Sequence, residues 1–177
     1  VGETGCGKSA LFKNLAAILR WSLHTLNVHG GTTEADVTAW VAERVEAAAA
    51  RQTPTVLFFD EMNTTNCVGL FRQLLTDRFL EGRRLPDYIK LIGAANPYRL
   101  RPDTLERVGL VFEHAAFGDQ EASGIEHDLA RLVYRVHPLP ESIIDHVQDF
   151  GSLSPQSEKL YIEAMLREGL LDAAHDD

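Results

Sequence analysis

Hydrophobic positions recur along the chain with two different periods. Leu11, Leu15, Ile18 and Leu19 fall on one face at helical spacing, which predicts a helix over about residues 9–23. Residues 25–29 read as a short strand, stopped by Gly30-Gly31. Thr33 then offers a helix cap, Glu34 and Asp36 put acid in the first turn, and Val37, Trp40, Val41 and Val45 form a buried stripe in a helix expected to reach Arg51. Residues 55–59 are apolar without alternation and end in Asp60-Glu61, the pattern of a strand covered on both faces of a parallel sheet. A helix over about 66–81 follows, then a second buried strand over 88–94 that runs into Ala95-Asn96-Pro97. A last candidate strand lies at 132–136, ahead of Pro138. Between these strands, residues 97–131 have weaker periodicity, with room for one helix near 103–108. Two more helices are expected at the end, over 140–150 before Gly151 and over 155–170 behind the Ser154 cap. Trp21 and Trp40 are both expected at helix positions facing the core. Strand-helix alternation predicts an α/β architecture, and no internal repeat, low-complexity tract or heptad run interrupts it.

Composition narrows the picture. The chain has 177 residues, 17 Lys+Arg against 26 Asp+Glu and a formal charge of −9, one domain's length and too acidic to suggest a nucleic-acid partner. With 45% apolar and 24% charged residues it can bury an ordinary core. Cys6 and Cys67 are the two cysteines, too few for a disulfide framework or a four-thiolate metal site. His29, His114 and His137 have no ligand spacing. No run approaches the roughly 20 apolar residues of a membrane span, and no signal segment opens the chain, so the cytosol is the expected compartment.

The candidate chemistry begins at the amino end with Gly2-Glu3-Thr4-Gly5-Cys6-Gly7-Lys8-Ser9. Glycines at this spacing let the backbone curl until successive N–H groups aim at phosphate oxygens, and the following helix adds its positive end. Lys8 is placed to reach β- and γ-phosphates, and Ser9 to offer a hydroxyl to Mg²⁺. Such a loop needs a strand before it, so the chain is expected to be a piece of a larger polypeptide cut within that first strand. Asp60, at a strand's carboxyl end, can hold the metal through water, and Glu61 directly after it can act as general base for an attacking water. The same acidic pair could also merely begin a loop. Asn96 can bond the γ-phosphate and the lytic water from the opposite side, or serve as a turn former before Pro97. Asn63 either positions Glu61 or turns the chain. Cys6 is a small packing residue or a thiol sensitised by a helix N-terminus.

In order, the Gly2-to-Ser9 loop, the Phe58-Phe59-Asp60-Glu61 strand end and Asn96 resemble the Walker A, Walker B and first-sensor motifs of AAA+ ATPases. Together with Val28-His29-Gly30-Gly31-Thr32-Thr33, Met62-Asn63-Thr64, Pro97-Tyr98-Arg99 and residues 133–140, they resemble the ATP-competent AAA+ modules of the mysterin family of giant ring-finger ubiquitin ligases. The resemblance runs from Val1 to about Leu166. It implies a three-layer sandwich with strand order 5-1-4-3-2 over residues 1–138, with 139–177 beginning a helical lid. It also implies ATP as the nucleotide, Mg²⁺ as the metal, and neighbouring AAA+ modules of the same parent polypeptide as partners, with ubiquitination machinery reached through the parent. Arg99, Arg101 and Arg107 fall where such modules carry the arginine donated to a neighbour; taken singly, each reads first as a solvated or ion-paired side chain. The second-sensor arginine and the ring-finger cysteines would lie outside this sequence. A GTPase base-reading motif and a transporter signature are both absent. The remaining rival is a module that holds ATP as a structural or sensing ligand without turnover.

Overall fold

Strand β2 (Thr55–Asp60) is buried along all but its last residue, and the sheet is organised around it. The computed structural model describes residues 1–51, 53–99 and 132–173. β2 pairs in parallel with β1 (Ser22–Asn27) on one side and, counting the two hairpin strands that intervene in sequence, with β5 (Ile89–Gly93) on the other. The register sets Asn27 beside Asp60 and Phe59 beside Gly93, so the carboxyl ends of all three strands open at one edge. Helix α1 (Lys8–Leu19) leads into β1, and α2 (Glu34–Arg51) returns the chain to β2. A 3-10 turn (Met62–Thr64), α3 (Val68–Arg72), a wider helical turn (Gln73–Asp77) and the hairpin β3 (Phe79–Leu80) and β4 (Arg83–Arg84) lead to β5. Helices α4 (Glu141–Ile144) and α5 (Pro155–Ala173) follow.

Alternation along β2 divides its apolar side chains between two layers. Leu57 and Phe59 join Val37 and Val41 of α2 and Phe71 of α3 in the main core, with the Phe59 ring 5.1 Å from that of Phe71 and 5.9 Å from that of Trp40. Phe58 points the other way, 5.4 Å from the Phe12 ring of α1. Helices on both faces explain why the strand reads as one apolar run. Phe59 is 0% exposed. Phe59→Ala is therefore expected to cost about 3–5 kcal/mol through lost burial and a cavity. Native-state hydrogen exchange of the β2 amides reads the loss directly; unchanged protection would show that the ring is not central to the core.

At the start of α2, Thr33 N–H and Oγ1 donate to Asp36 Oδ2 at 2.9 and 2.7 Å, and Asp36 N–H donates back to Thr33 Oγ1 at 3.2 Å. These bonds, the hydroxyl's first, hold the Asp36 carboxyl below its ordinary pKa.

Several expected elements take other shapes. α1 ends at Leu19 rather than Leu23 because Arg20 turns left-handed (φ 53°), closing the helix with Arg20 N–H on Ala17 O and Trp21 N–H on Ala16 O. Trp21 thus lies outside the helix, and β1 starts earlier than expected. The stripe of Leu11, Leu15, Ile18 and Leu19 faces outward among the described residues, Ile18 being 78% exposed, while Phe12 and Ala16 take the sheet contact. The helix expected over 66–81 is present from Val68 to Asp77 and then gives way to a hairpin: Arg78 turns left-handed, and Glu81 (φ 47°) and Gly82 (φ 75°) make the tight turn. Leu132 forms one isolated bridge, and the rest of 133–136 is no strand because the backbone doubles back, Val136 N–H reaching Tyr134 O at 2.9 Å. In place of a helix over 140–150, α4 stops at Ile144, and the backbone after it bonds to the amino end: Glu3 N–H to Gly151 O at 3.1 Å and Phe150 N–H to Val1 O at 2.7 Å. The helix expected near 103–108 lies outside the described residues.

Candidate functional site

Sequence-distant groups meet at the carboxyl edge of the sheet, in a cleft of about 280 Å³ lined by Thr4, Gly5, Gly7, Lys8, Ser9, Asp60, Glu61, Asn96 and Tyr161. One wall is the loop of residues 2–9. Gly5 and Gly7 adopt φ of 86° and 85°, a left-handed conformation open to glycine at little cost, and no atom lies within 4 Å of where a Cβ would stand on either. Gly7 is the N-cap of α1, and among the described residues no side chain caps the helix's first turn. The leading amides of α1 thus have no side-chain cap there, as an anion seat requires.

Lys8 rises from this loop. Its Nζ donates to the carbonyls of Gly2 (2.5 Å) and Glu3 (2.9 Å) and reaches Asn96 Oδ1 at 3.4 Å. Its partners are two neutral carbonyls and an amide, so the ammonium remains available to an incoming anion. Cys6 Sγ lies 3.8 Å from the same nitrogen. Ser9 Oγ donates to Asp60 Oδ2 at 2.6 Å. These oxygens, one hydroxyl and one carboxylate, are the hard donors that a small divalent cation accepts, so the residues present fit Mg²⁺.

Glu61 follows Asp60 with φ 56°, left-handed in a non-glycine residue, and this local strain turns its side chain away from the strand line. Its amide donates to Asp60 Oδ1 at 3.1 Å, and its Oε1 accepts from Asn96 Nδ2 at 3.4 Å. Asn96 therefore stands between Lys8 and Glu61, with one side-chain atom on each. Of the residues proposed from sequence for phosphate, metal and water, Thr4, Gly5, Gly7, Lys8, Ser9, Asp60, Glu61 and Asn96 line this cleft, whereas Gly2, Glu3 and Cys6 are not among its lining.

Three further features escaped the sequence. Asn63, placed beside Glu61, bonds instead to Asn96. Tyr161, on α5, lines the cleft from a helix whose periodicity gave no reason to expect it there. Tyr134 Oη accepts from Thr4 N–H at 3.4 Å. Arg99 pairs with Glu3 of the glycine-rich loop at 2.9 Å, so here it takes the ion-paired role. Arg101 and Arg107 lie outside the described residues.

The RNF213 AAA domain profile matches residues 1–99. The chain is 38% identical over 182 residues to mouse (Mus musculus) E3 ubiquitin-protein ligase RNF213, covering 94% of this chain and 4% of the relative. It is 37% identical over 187 residues to zebrafish (Danio rerio) E3 ubiquitin-protein ligase rnf213-beta, covering 97% of this chain and 4% of the relative. The human (Homo sapiens) E3 ubiquitin-protein ligase RNF213 is 37% identical over 182 residues, again 94% of this chain and 4% of its own length. The chain therefore spans a small part of the length of these relatives. Both the matched profile and the ordered phosphate-loop, acidic-pair and asparagine motifs make the chain a member of the RNF213 AAA domain family, also called mysterin.

Proposed function

We propose that this chain binds and hydrolyses Mg-ATP as an AAA+ module within a ubiquitin ligase of the RNF213 kind, changing shape between neighbouring modules. The observation that carries this reading is Asn96, bonded to Lys8 on one side and to Glu61 on the other, above the Ser9–Asp60 pair. A triphosphate laid along the loop would meet amides from Gly5 to Ser9, with Lys8 leaving the Gly2 and Glu3 carbonyls for its β- and γ-oxygens. Ser9 and Asp60 would hold Mg²⁺, which when bound neutralises charge on the phosphates. Glu61 would take the proton of a water aligned by Asn96. As that water's oxygen bonds to the γ-phosphorus, the bond to the β–γ bridging oxygen breaks and ADP leaves with it.

Residues 1–138 are read as the α/β subdomain and 139–177 as the start of the lid, the sheet extending to the order 5-1-4-3-2. The three strands of the parallel sheet are neighbours as that order requires of strands 2, 3 and 4, and Gly2 N–H reaches Ala95 O just past β5 at 3.2 Å. Among the described residues no helix is long and apolar enough to cross a membrane. A cytosolic setting, with ligase chemistry elsewhere in the parent, fits this reading.

The alternative holds ATP as a sensing ligand without turnover. Single-turnover assays on the intact polypeptide separate the two, with other ATP-competent modules silenced. Phosphate released from ATP bound at this site is the expected result. Bound ATP that persists without phosphate release would establish the sensing role instead.

A further inference from the structure

We propose that Asn63 is the positioning residue of this site, acting through Asn96; the proposal rests on the reading of Asn96 as the group that aligns the attacking water. Asn63 is 1% exposed. Its Oδ1 accepts from Asn96 N–H at 3.1 Å, and its Nδ2 donates to Asn96 O at 2.8 Å and to His137 O at 3.4 Å. One amide side chain thus grips both main-chain polar groups of residue 96. The orientation of the amide is fixed by chemistry, since a backbone N–H needs the oxygen and a carbonyl needs the nitrogen.

The location explains the need. The backbone bonds between the segments of β2 and β5 give out just before Asn96, with Ala94 N–H on Phe59 O at 2.8 Å and Met62 N–H on Ala94 O at 2.9 Å. Residue 96 is buried beyond that point, and Asn63 supplies the missing rung. The backbone repeats the attachment, with His137 N–H on Asn63 O at 2.7 Å. A residue present only to turn the chain would bond within its own turn. The side-chain bonds of Asn63 reach residues 33 and 74 positions away, and its own turn is closed by Thr64 N–H on Glu61 O without it. Nor does Asn63 orient Glu61 directly: among the described residues Glu61 Oε1 is held by Asn96. Removing Asn63 would leave two buried polar groups of residue 96 unpaired, and its side chain would drift from the point midway between Lys8 and Glu61.

The test uses the intact polypeptide and ATP. Asn63→Ala is expected to lower kcat about 100-fold, the scale of a small misplacement of an aligning group, while KM for ATP stays within about threefold because the loop is untouched. In an Asn96→Ala background the same change should cost less than about threefold more. Multiplying losses would overturn the proposal, because a merely structural defect adds to any other. Asn63→Asp supplies a second variant should the alanine fold poorly. When protonated, the introduced carboxyl reproduces the amide's acceptor and donor, so the ratio of its kcat to the wild-type value should rise as pH falls. Lys8, Glu61 and His137, the charged or titratable groups nearby, are present in both proteins and cancel in the ratio. A flat ratio would contradict the role. If wild-type turnover is itself zero, the hydrolysis reading fails on its own. The clamp is then read by amide exchange at Asn96 and His137, expected about 100-fold faster in Asn63→Ala; unchanged exchange would overturn it.

Discussion

Replacing Glu61 by Gln is expected to leave ATP bound and to slow its hydrolysis about 100-fold or more, the loss associated with a positioned general base. The amide has nearly the carboxylate's size and keeps an oxygen for Asn96 Nδ2, which lies 3.4 Å from Glu61 Oε1. What it loses is the capacity to take a proton. Affinity should hardly move, because in the proposed mechanism the carboxylate acts on the water and not on the phosphates. Steady-state phosphate release together with nucleotide affinity in the intact polypeptide checks both halves. Unchanged turnover would remove Glu61 from the chemistry.

Lys8→Ala should act on binding instead. The ammonium is the one cation among the described residues lining the cleft, and it rests on neutral carbonyls of Gly2 and Glu3 that ask little of it. A triphosphate offers far stronger partners, so the side chain's stabilisation is realised chiefly in the nucleotide complex. Affinity for ATP is expected to fall about 100-fold, equivalent to about 2.7 kcal/mol. Calorimetric titration measures it, and a change within about threefold would show that the phosphates lie elsewhere. Because Lys8 is part-buried among groups that water can solvate in its absence, unfolding should shift far less than binding.

These two outcomes concern residues that were legible in the sequence, for reasons that differ from one to the next. The phosphate loop announces itself because glycine, lysine and serine each answer a local demand: a left-handed backbone at Gly5 and Gly7, a charge at Lys8, a hydroxyl at Ser9. β2 was equally plain, since burial on both faces removes the alternation that other strands show. Asn96 required the topology as well, because only parallel pairing of β2 with β5 sets its side chain beside Glu61. Where local signals competed, periodicity alone misled. The apolar spacing of α1 defined a helix but not its inward face, which is fixed by Phe12 meeting Phe58 across the layer. The hairpin of residues 79–84 was hidden because Glu81-Gly82 is a weaker turn signal than Asn-Gly, and a helix continued from α3 fitted the same apolar residues. Asn63 shows the limit most clearly. It stands two residues past Glu61, yet its partners are Asn96 and His137, brought to it by the sheet and by the chain's return to it.

The central claim is that one triphosphate occupies the cleft shared by Lys8, Ser9, Asp60, Glu61 and Asn96. A structure of the intact polypeptide with ATP and Mg²⁺ tests it most directly. The expected result is phosphate density along the loop, with Lys8 moved from the Gly2 and Glu3 carbonyls onto phosphate oxygens and Asn96 beside the terminal phosphate. Nucleotide bound elsewhere in this chain, with Lys8 still on those carbonyls, would contradict the account.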